Sequence, residues 1–346
     1  MVKKRLIISA FAVATLTLVA SGMFFAQGAP VPRESAYSSY VYDANPALQN
    51  NYYYPLADYA VVRNGNPVSV FTSIGVAEFA AGNDFLIDDT MITHEDAYSY
   101  LAVHETMTTV VEFEAKADNS IKFDLGGDTG AIRSGNAILI GGEDASGVFV
   151  FPPDVETAIN GQEVVFDVPA DSVVIFRADP TPDKTVGSAV AGERIAAEMY
   201  LGSQGDYLVE DVVAFDNVDM SALAASDKQV DVLLSGSAAG KAVMLHIDGV
   251  YLDYGSAEDI TVMLDDERLR EADDFSEVFW ETGDVPRYIA VKTDSGFDVA
   301  VYIPQYQDYV INIGSAERDL GIDGMATMLA AIGIVGVAVL ALIRKD

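Results

Sequence analysis

Between residues 106 and 177 the chain reads TMTTVVEFEAK (106–116), SIKFDL (120–125), AILIG (137–141), GVFVF (147–151), EVVFDV (163–168) and SVVIFR (172–177). Each run is short and rich in Val, Ile and Phe. Turn-forming clusters such as Gly126-Gly127-Asp128 and Asn160-Gly161 separate them. Branched and aromatic side chains suit a pleated, half-buried surface, and short strands at this spacing indicate sandwich-like sheets rather than alternating strands and helices. The second half repeats the pattern at 193–201, 207–215, 230–234, 242–247, 260–264, 288–292, 299–303 and 309–313. The expected fold class is mainly β, with two β-sandwich-like domains and one short amphipathic helix.

Asp179-Pro180-Thr181-Pro182-Asp183 breaks the pattern. Proline fixes its own φ and restricts the residue before it, so this stretch cannot pair at a sheet centre. The boundary is therefore placed just after it, near 185–192, giving domains at 30–190 and 191–313; the stretch would serve equally as a long loop inside one larger sandwich. The helix is expected at 265–280 (DDERLREADDFSEVFW), where Leu269, Ala272, Phe275, Val278 and Phe279 share one face. Asp265 and Asp266 would cap it, and Trp280 would anchor it. The spacing of Ala97, Leu101 and Ala102 also admits a short helix over 93–103. Two hairpins are signalled, one turning at Asp248-Gly249 toward Tyr251 and Leu252, one at Asp294-Ser295-Gly296. Residues 68–76 read as a strand, and the Tyr-rich stretch 37–59 as an extended arm or an edge strand.

The two ends fix a topology. Lys3, Lys4 and Arg5 precede an uncharged stretch from Leu6 to Ala26, with small residues at Gly28 and Ala29. This is the pattern of a secretory signal peptide, 1–29; the apolar stretch is also long enough for an uncleaved anchor. Near the other end, Met325 to Ile343 (MATMLAAIGIVGVAVLALI) is uncharged and is followed by Arg344 and Lys345. That length spans the hydrocarbon core as a C-terminal transmembrane helix, 325–343, with 314–324 as a stalk. The basic residues after it place 344–346 in the cytoplasm and both β domains outside, as ectodomains of a single-pass type I protein of the cell membrane.

Charge follows the same division. The chain of 346 residues carries 20 Lys and Arg against 53 Asp and Glu, a formal net charge of −33. Five of the basic residues (Lys3, Lys4, Arg5, Arg344, Lys345) and one acid (Asp346) flank the apolar segments, leaving 15 basic and 52 acidic residues between them, a net of −37. Such a surface repels phosphate, which argues against a nucleic acid partner. A hydrophobic content of 50% separates the chain from disordered acidic polymers. With no cysteine, disulfides, thiol nucleophiles and Cys-ligated metals are excluded.

Catalytic motifs are scarce. G-x-S-x-G and G-x-G-x-x-G are absent, and Gly236-Ser237-Ala238-Ala239-Gly240-Lys241 lacks the length and the Ser or Thr of a phosphate-binding loop. His94-Glu95 and His104-Glu105 do not extend to H-E-x-x-H, and both read as surface histidines; the alternative is a hairpin that brings the two, ten residues apart, together on a metal. His246 points opposite to Leu245 and Ile247, which reads as an exposed face. Carboxylates are too numerous for any pair to stand out. Asp118, Asn119, Asp124 and Asp128 cluster in one turn region, and oxygen ligands in flexible loops suit calcium; solvated acidic turns are the competing reading. No other cofactor is expected. Tyr37, Tyr40, Tyr42, Tyr52, Tyr53 and Tyr54 are interface candidates, since Tyr supplies large amphipathic contacts. No N-x-[ST] sequon occurs.

A leader at 1–29, an acidic β-rich region and a terminal span at Met325–Asp346 together resemble archaeal membrane-anchored cell-surface proteins, including S-layer-associated proteins of halophiles and methanogens. The resemblance rests on architecture and composition. It implies a non-enzymatic structural, adhesive or binding role in the envelope, with the lipid bilayer and other envelope proteins as partners. The alternatives are a membrane-tethered extracellular hydrolase using paired carboxylates and a viral envelope spike of the same topology.

Overall fold

The computed structural model describes residues 38–39, 54–63, 66–78, 86–87, 91–104, 106, 110–142, 146–179, 185–204, 207–226, 228–238, 240–293 and 295–315. Over these residues the chain is mainly β, arranged as four sheets in two pairs.

The first pair joins a six-stranded sheet to an eight-stranded one. The six-stranded sheet runs β1 (Ser38–Ser39), β2 (Tyr54–Arg63), β3 (Asn66–Val76), β8 (Asn119–Leu125), β13 (Glu163–Val168), β12 (Glu156–Asn160). The eight-stranded sheet runs β4 (Leu86–Ile87), β5 (Met91–Glu95), β6 (Ser99–His104), β7 (Val110–Ala115), β14 (Ser172–Ala178), β11 (Ser146–Val150), β10 (Ala137–Gly141), β9 (Gly130–Ser134). Alternation along the strands sends Ile121, Phe123, Val164 and Phe166 from one sheet and Phe113, Phe149, Val174 and Phe176 from the other into a shared core. Phe149 is its centre, with ring centroids 4.7–5.7 Å from Phe71, Phe123, Phe166 and Phe176. Tilted and edge-on aromatic pairs at these spacings add to what burial alone contributes.

The second pair faces a six-stranded sheet, β16 (Tyr207–Ala214), β15 (Ile195–Gln204), β19 (Lys241–Asp248), β24 (Gly296–Ile303), β23 (Arg287–Lys292), β22 (Arg270–Glu271), against a five-stranded one, β17 (Val218–Ser226), β18 (Gln229–Gly236), β25 (Tyr309–Ser315), β20 (Ile260–Leu264), β21 (Glu267–Arg268). Its core is aliphatic: Val230, Val232, Leu245, Val299, Val301, Ile311 and Ile313 meet between the sheets. Tyr288 and Phe297 are the aromatic exceptions, and the Tyr288 hydroxyl donates to the Ile260 carbonyl at 3.0 Å. The chain passes from the first pair to the second through α1 (Thr185–Ala191).

Several expectations are corrected. Residues 93–103 form no helix but the β5–β6 hairpin, with Thr93 opposite Ala102. The Asp96 carboxylate accepts from the backbone N–H of Tyr98 and Ser99, both at 2.7 Å, and this side-chain turn outcompetes helix formation. The helix expected at 265–280 shrinks to α2 (Phe275–Trp280). Asp265 and Asp266 sit at φ 48° and 68° as the two-residue turn of the β20–β21 hairpin, which needs positive φ at both central positions. The cap is Asp274 instead, whose carboxylate accepts from Glu277 N–H at 3.0 Å. Trp280 is 41% exposed, so Val278 and Phe279 anchor the helix in its place. The turn at Asp248 forms, but Leu252 then bridges Lys228 of the facing sheet rather than returning along β19. The hairpin expected around 294–296 pairs β23 with β24, Lys292 facing Phe297. Gly314 and Ser315, placed in the stalk, belong to β25, paired with Gln229 and Ile260. The leader, the span Met325 to Ile343 and Tyr37, Tyr40, Tyr42, Tyr52 and Tyr53 lie outside the described residues, and Tyr54 opens β2. Among the described residues no helix is long and apolar enough to cross a membrane.

Candidate functional site

The two sheet pairs meet back to back. Strands β14, β15, β19 and β24 are apolar on both faces, so burying the inner face leaves a second apolar face to cover. Val110 and Ile175 of the first pair close on Val213 of the second. Beside them, Ala137 and Val148 pack with Ala189 and Val190 of α1, Phe279 of α2, and Met244, Ala300 and Tyr302.

Charged side chains are set into this apolar joint. Arg177 reaches from β14 across to β15, donating from Nε to Glu198 Oε1 at 2.6 Å and from Nη1 to Asp179 Oδ1 at 2.7 Å. Glu198 is fully buried, and its second oxygen lies 3.2 Å from His246 Nε2. His246 Nδ1 lies 2.8 Å from Asp298 Oδ1, its direct cross-strand partner. Helix α1 approaches Asp179 so closely that a Cβ on Gly187 would meet its carboxylate at 2.5 Å, so a residue without a side chain is needed there. The result is a relay, Asp179–Arg177–Glu198–His246–Asp298, that crosses the joint once, between Arg177 and Glu198.

Protonation follows from this geometry. Burial pulls the His246 imidazole down, but the charges of Asp298 and Glu198 and the hydrogen bonds to them outweigh it and lift its pKa to about 9. Burial alone would raise Glu198; Arg177 and His246 reverse this and hold it below the usual carboxylate range. At neutral pH the relay thus holds two cations, Arg177 and His246, on either side of the Glu198 carboxylate.

A second cluster lies farther along the joint. His104, at the end of β6, places Nδ1 2.7 Å from Asp211 Oδ1 of β16, and Thr106 Oγ1 donates to Asp211 Oδ2 at 2.8 Å. The other imidazole nitrogen, Nε2, is 3.8 Å from Glu112 Oε2 on β7, a charge contact and not a hydrogen bond. Burial again opposes the cation, and Asp211 and Glu112 prevail, raising His104 to about 10. Nearby on β7, burial and the Glu112 charge raise Glu114.

The histidines are therefore not surface groups. His94 faces the core of the first pair with no exposed area, 3.9 Å from Asp96. The face opposite Leu245 on which His246 stands is covered by the other sheet pair. The calcium candidates are not gathered into one site. Asn119 and Asp124 stand near opposite ends of β8, about 16 Å apart at the rise of a strand. Asp118 accepts from Ala170 N–H and Asn119 exchanges hydrogen bonds with the Glu78 backbone. Asp124 takes Ser73 Oγ and Lys122, and Asp128 is exposed. Among the described residues no group of three or more His, Asp or Glu is arranged to hold a metal ion. Arg177, Glu198 and Asp211 were not singled out from the sequence. A signal for the first two was present: each is a charge within a nearly continuous apolar run, VVIFRA (173–178) and IAAEMYL (195–201), the pattern of a strand buried on both faces.

No family model and no curated protein matches the chain. Among solved structures, it is similar to a mutant family 81 glycoside hydrolase from Clostridium thermocellum, with 8% identity and a TM-score of 0.31 over 82% of this chain. The chain covers 32% of that protein's length.

Proposed function

We propose that the chain is a non-enzymatic, single-pass type I protein of the cell membrane, with two β-sandwich-like ectodomains that serve a structural, adhesive or binding role in an envelope of the archaeal kind. The observation that carries this reading is the segregation of charge along the sequence. Basic residues flank two apolar segments, and the 52 acids between them leave that region at −37. The joint supports it, because His104, His246, Arg177 and Glu198 are spent on holding two sheet pairs together. Because β25 runs to Ser315, nine residues remain before Met325, no more than about 30 Å of extended chain. The second sheet pair therefore stands close to the bilayer. Its acidity keeps such a surface dispersed in a salty exterior.

Membrane fractionation tests this. The protein should stay with membranes through an alkaline carbonate wash, leave them only with detergent, and lose its β region when protease is added to intact cells. Release without detergent, or full protection from the protease, would refute the anchored, outward-facing reading.

A further inference from the structure

We infer that the outward face of the five-stranded sheet, on the side away from the joint, is the docking surface for a second copy of this chain, packed face to face about a two-fold axis.

The two outermost sheets of the molecule present unlike faces. Alternation along β8, β12 and β13 turns nine residues outward, and five of them are charged: Lys122, Asp124, Glu156, Glu163 and Asp167. Strands β18, β25 and β20 of the second pair also turn nine residues outward, and Asp231 is the one charge among them. Even that charge is answered. Both Asp231 oxygens accept from Gln229 Nε2 at 2.7 Å, and Oδ1 accepts from Asn312 Nδ2 at 2.9 Å. A region of net −37 repels its own copy over most of its surface. A face this poor in charge is where two copies approach with least repulsion.

The face is also uncovered. Leu233, Met263 and Val310 point outward, and none of them joins an apolar cluster of the described residues. Its centre is dry all the same. Asn312 is 1% exposed, and neither its Oδ1 nor the Oγ1 of Thr261, one row away, has a hydrogen-bond partner among the described residues. A desolvated centre within a polar rim is the anatomy of an interface, and acceptors left over at such a centre call for donors from outside.

The edges select the occupant. Asp219 on β17 and Arg268 on β21 stand at opposite edges of this face, both exposed, and neither forms an ion pair among the described residues. A two-fold axis in the plane of the face lays β21 of each copy over β17 of the other, so each Arg268 meets the partner's Asp219. An acid and a base at opposite edges thus make the face complementary to itself. Five strands by about six residues cover about 500 Å² per copy, near the lower limit of a specific interface. Pairing is therefore weak in solution, and confinement to one membrane, as proposed above, would strengthen it through effective concentration.

Sedimentation equilibrium of the purified full chain tests this, from about 1 μM to about 1 mM, in salt high enough to screen the net charge. A monomer–dimer equilibrium is expected. Arg268→Asp and Asp219→Arg should each weaken it about tenfold or more by setting like charges opposite each other twice, and the double variant should restore it. Leu233→Glu should abolish it, whereas Val165→Glu, the same change on the outward face of the first pair, should leave it within about twofold. If Leu233→Glu misfolds, the exchange of the two edge charges decides alone. A chain that stays monomeric over the whole range, whatever covers the face instead, would overturn the proposal. So would a dimer that the single charge reversals leave unchanged or the double variant fails to restore. Neither result bears on membrane fractionation, so anchorage and pairing fail separately.

Discussion

His246 and His104 begin alike and end differently. Each is buried in the same joint, and each sets Nδ1 within 2.7–2.8 Å of an aspartate. On the far side of the ring, His246 meets Glu198 at 3.2 Å, and Glu198 is in turn held by Arg177. The Nε2 of His104 meets only the loose contact with Glu112. The difference is one of closure. Where the network is closed by an arginine that itself crosses the joint, low polarity strengthens every link, and removing one strands two charges. Where it is open, the far side of the ring is held by charge alone.

The contrast can be broken most forcefully at Glu198. Glu198→Ala strands Arg177 and His246 in an apolar joint and should cost about 3–5 kcal/mol of stability in denaturant unfolding. Asp211→Ala, which removes the partner of both His104 and Thr106, should cost less, about 1.5–3 kcal/mol. Glu112→Gln should change stability by under about 1 kcal/mol, because its contact is long and partly exposed. Equal losses at Glu198 and Glu112 would erase the distinction between closed and open networks.

Titration sharpens it. His246 faces Glu198 on β15 and Asp298 on β24, with Arg177 behind Glu198. Its proton is held to about pH 9 in the folded state, against 6.5 for an unperturbed imidazole. Its stabilising contribution is therefore complete below about pH 6.5 and is lost as pH rises through 9. Glu198, lowered in the folded state, behaves oppositely, contributing above the ordinary glutamate range and failing in acid. Stability measured from pH 7 to 10 should fall in the wild type and fall less in His246→Gln. A flat profile in the wild type would contradict the ionised relay.

The sequence made the strands visible and the joint invisible, for physical reasons. Strands at 137–141, 163–168 and 260–264 match β10, β13 and β20 end for end, because alternation against one core is a local pattern. The helix at 265–280 was misjudged because Asp265-Asp266 serves equally as helix cap or two-residue turn, and the pairing of Leu264 with Glu267 settles which. Likewise His246 was placed correctly relative to Leu245, but alternation gives only the face of a strand. What covers that face depends on the other sheet pair, far off in sequence; the contact of His104 with Asp211 spans 107 residues. Charges within apolar runs at Arg177 and Glu198 were the legible trace of a double-sided burial.

The central claim, that buried charge locks the two sheet pairs into one cooperative body, is tested most directly by scanning calorimetry of the purified protein. A single unfolding transition is expected in the wild type, with its calorimetric and van't Hoff enthalpies in agreement, and a split into two in Glu198→Ala. Two independent transitions in the wild type would contradict it.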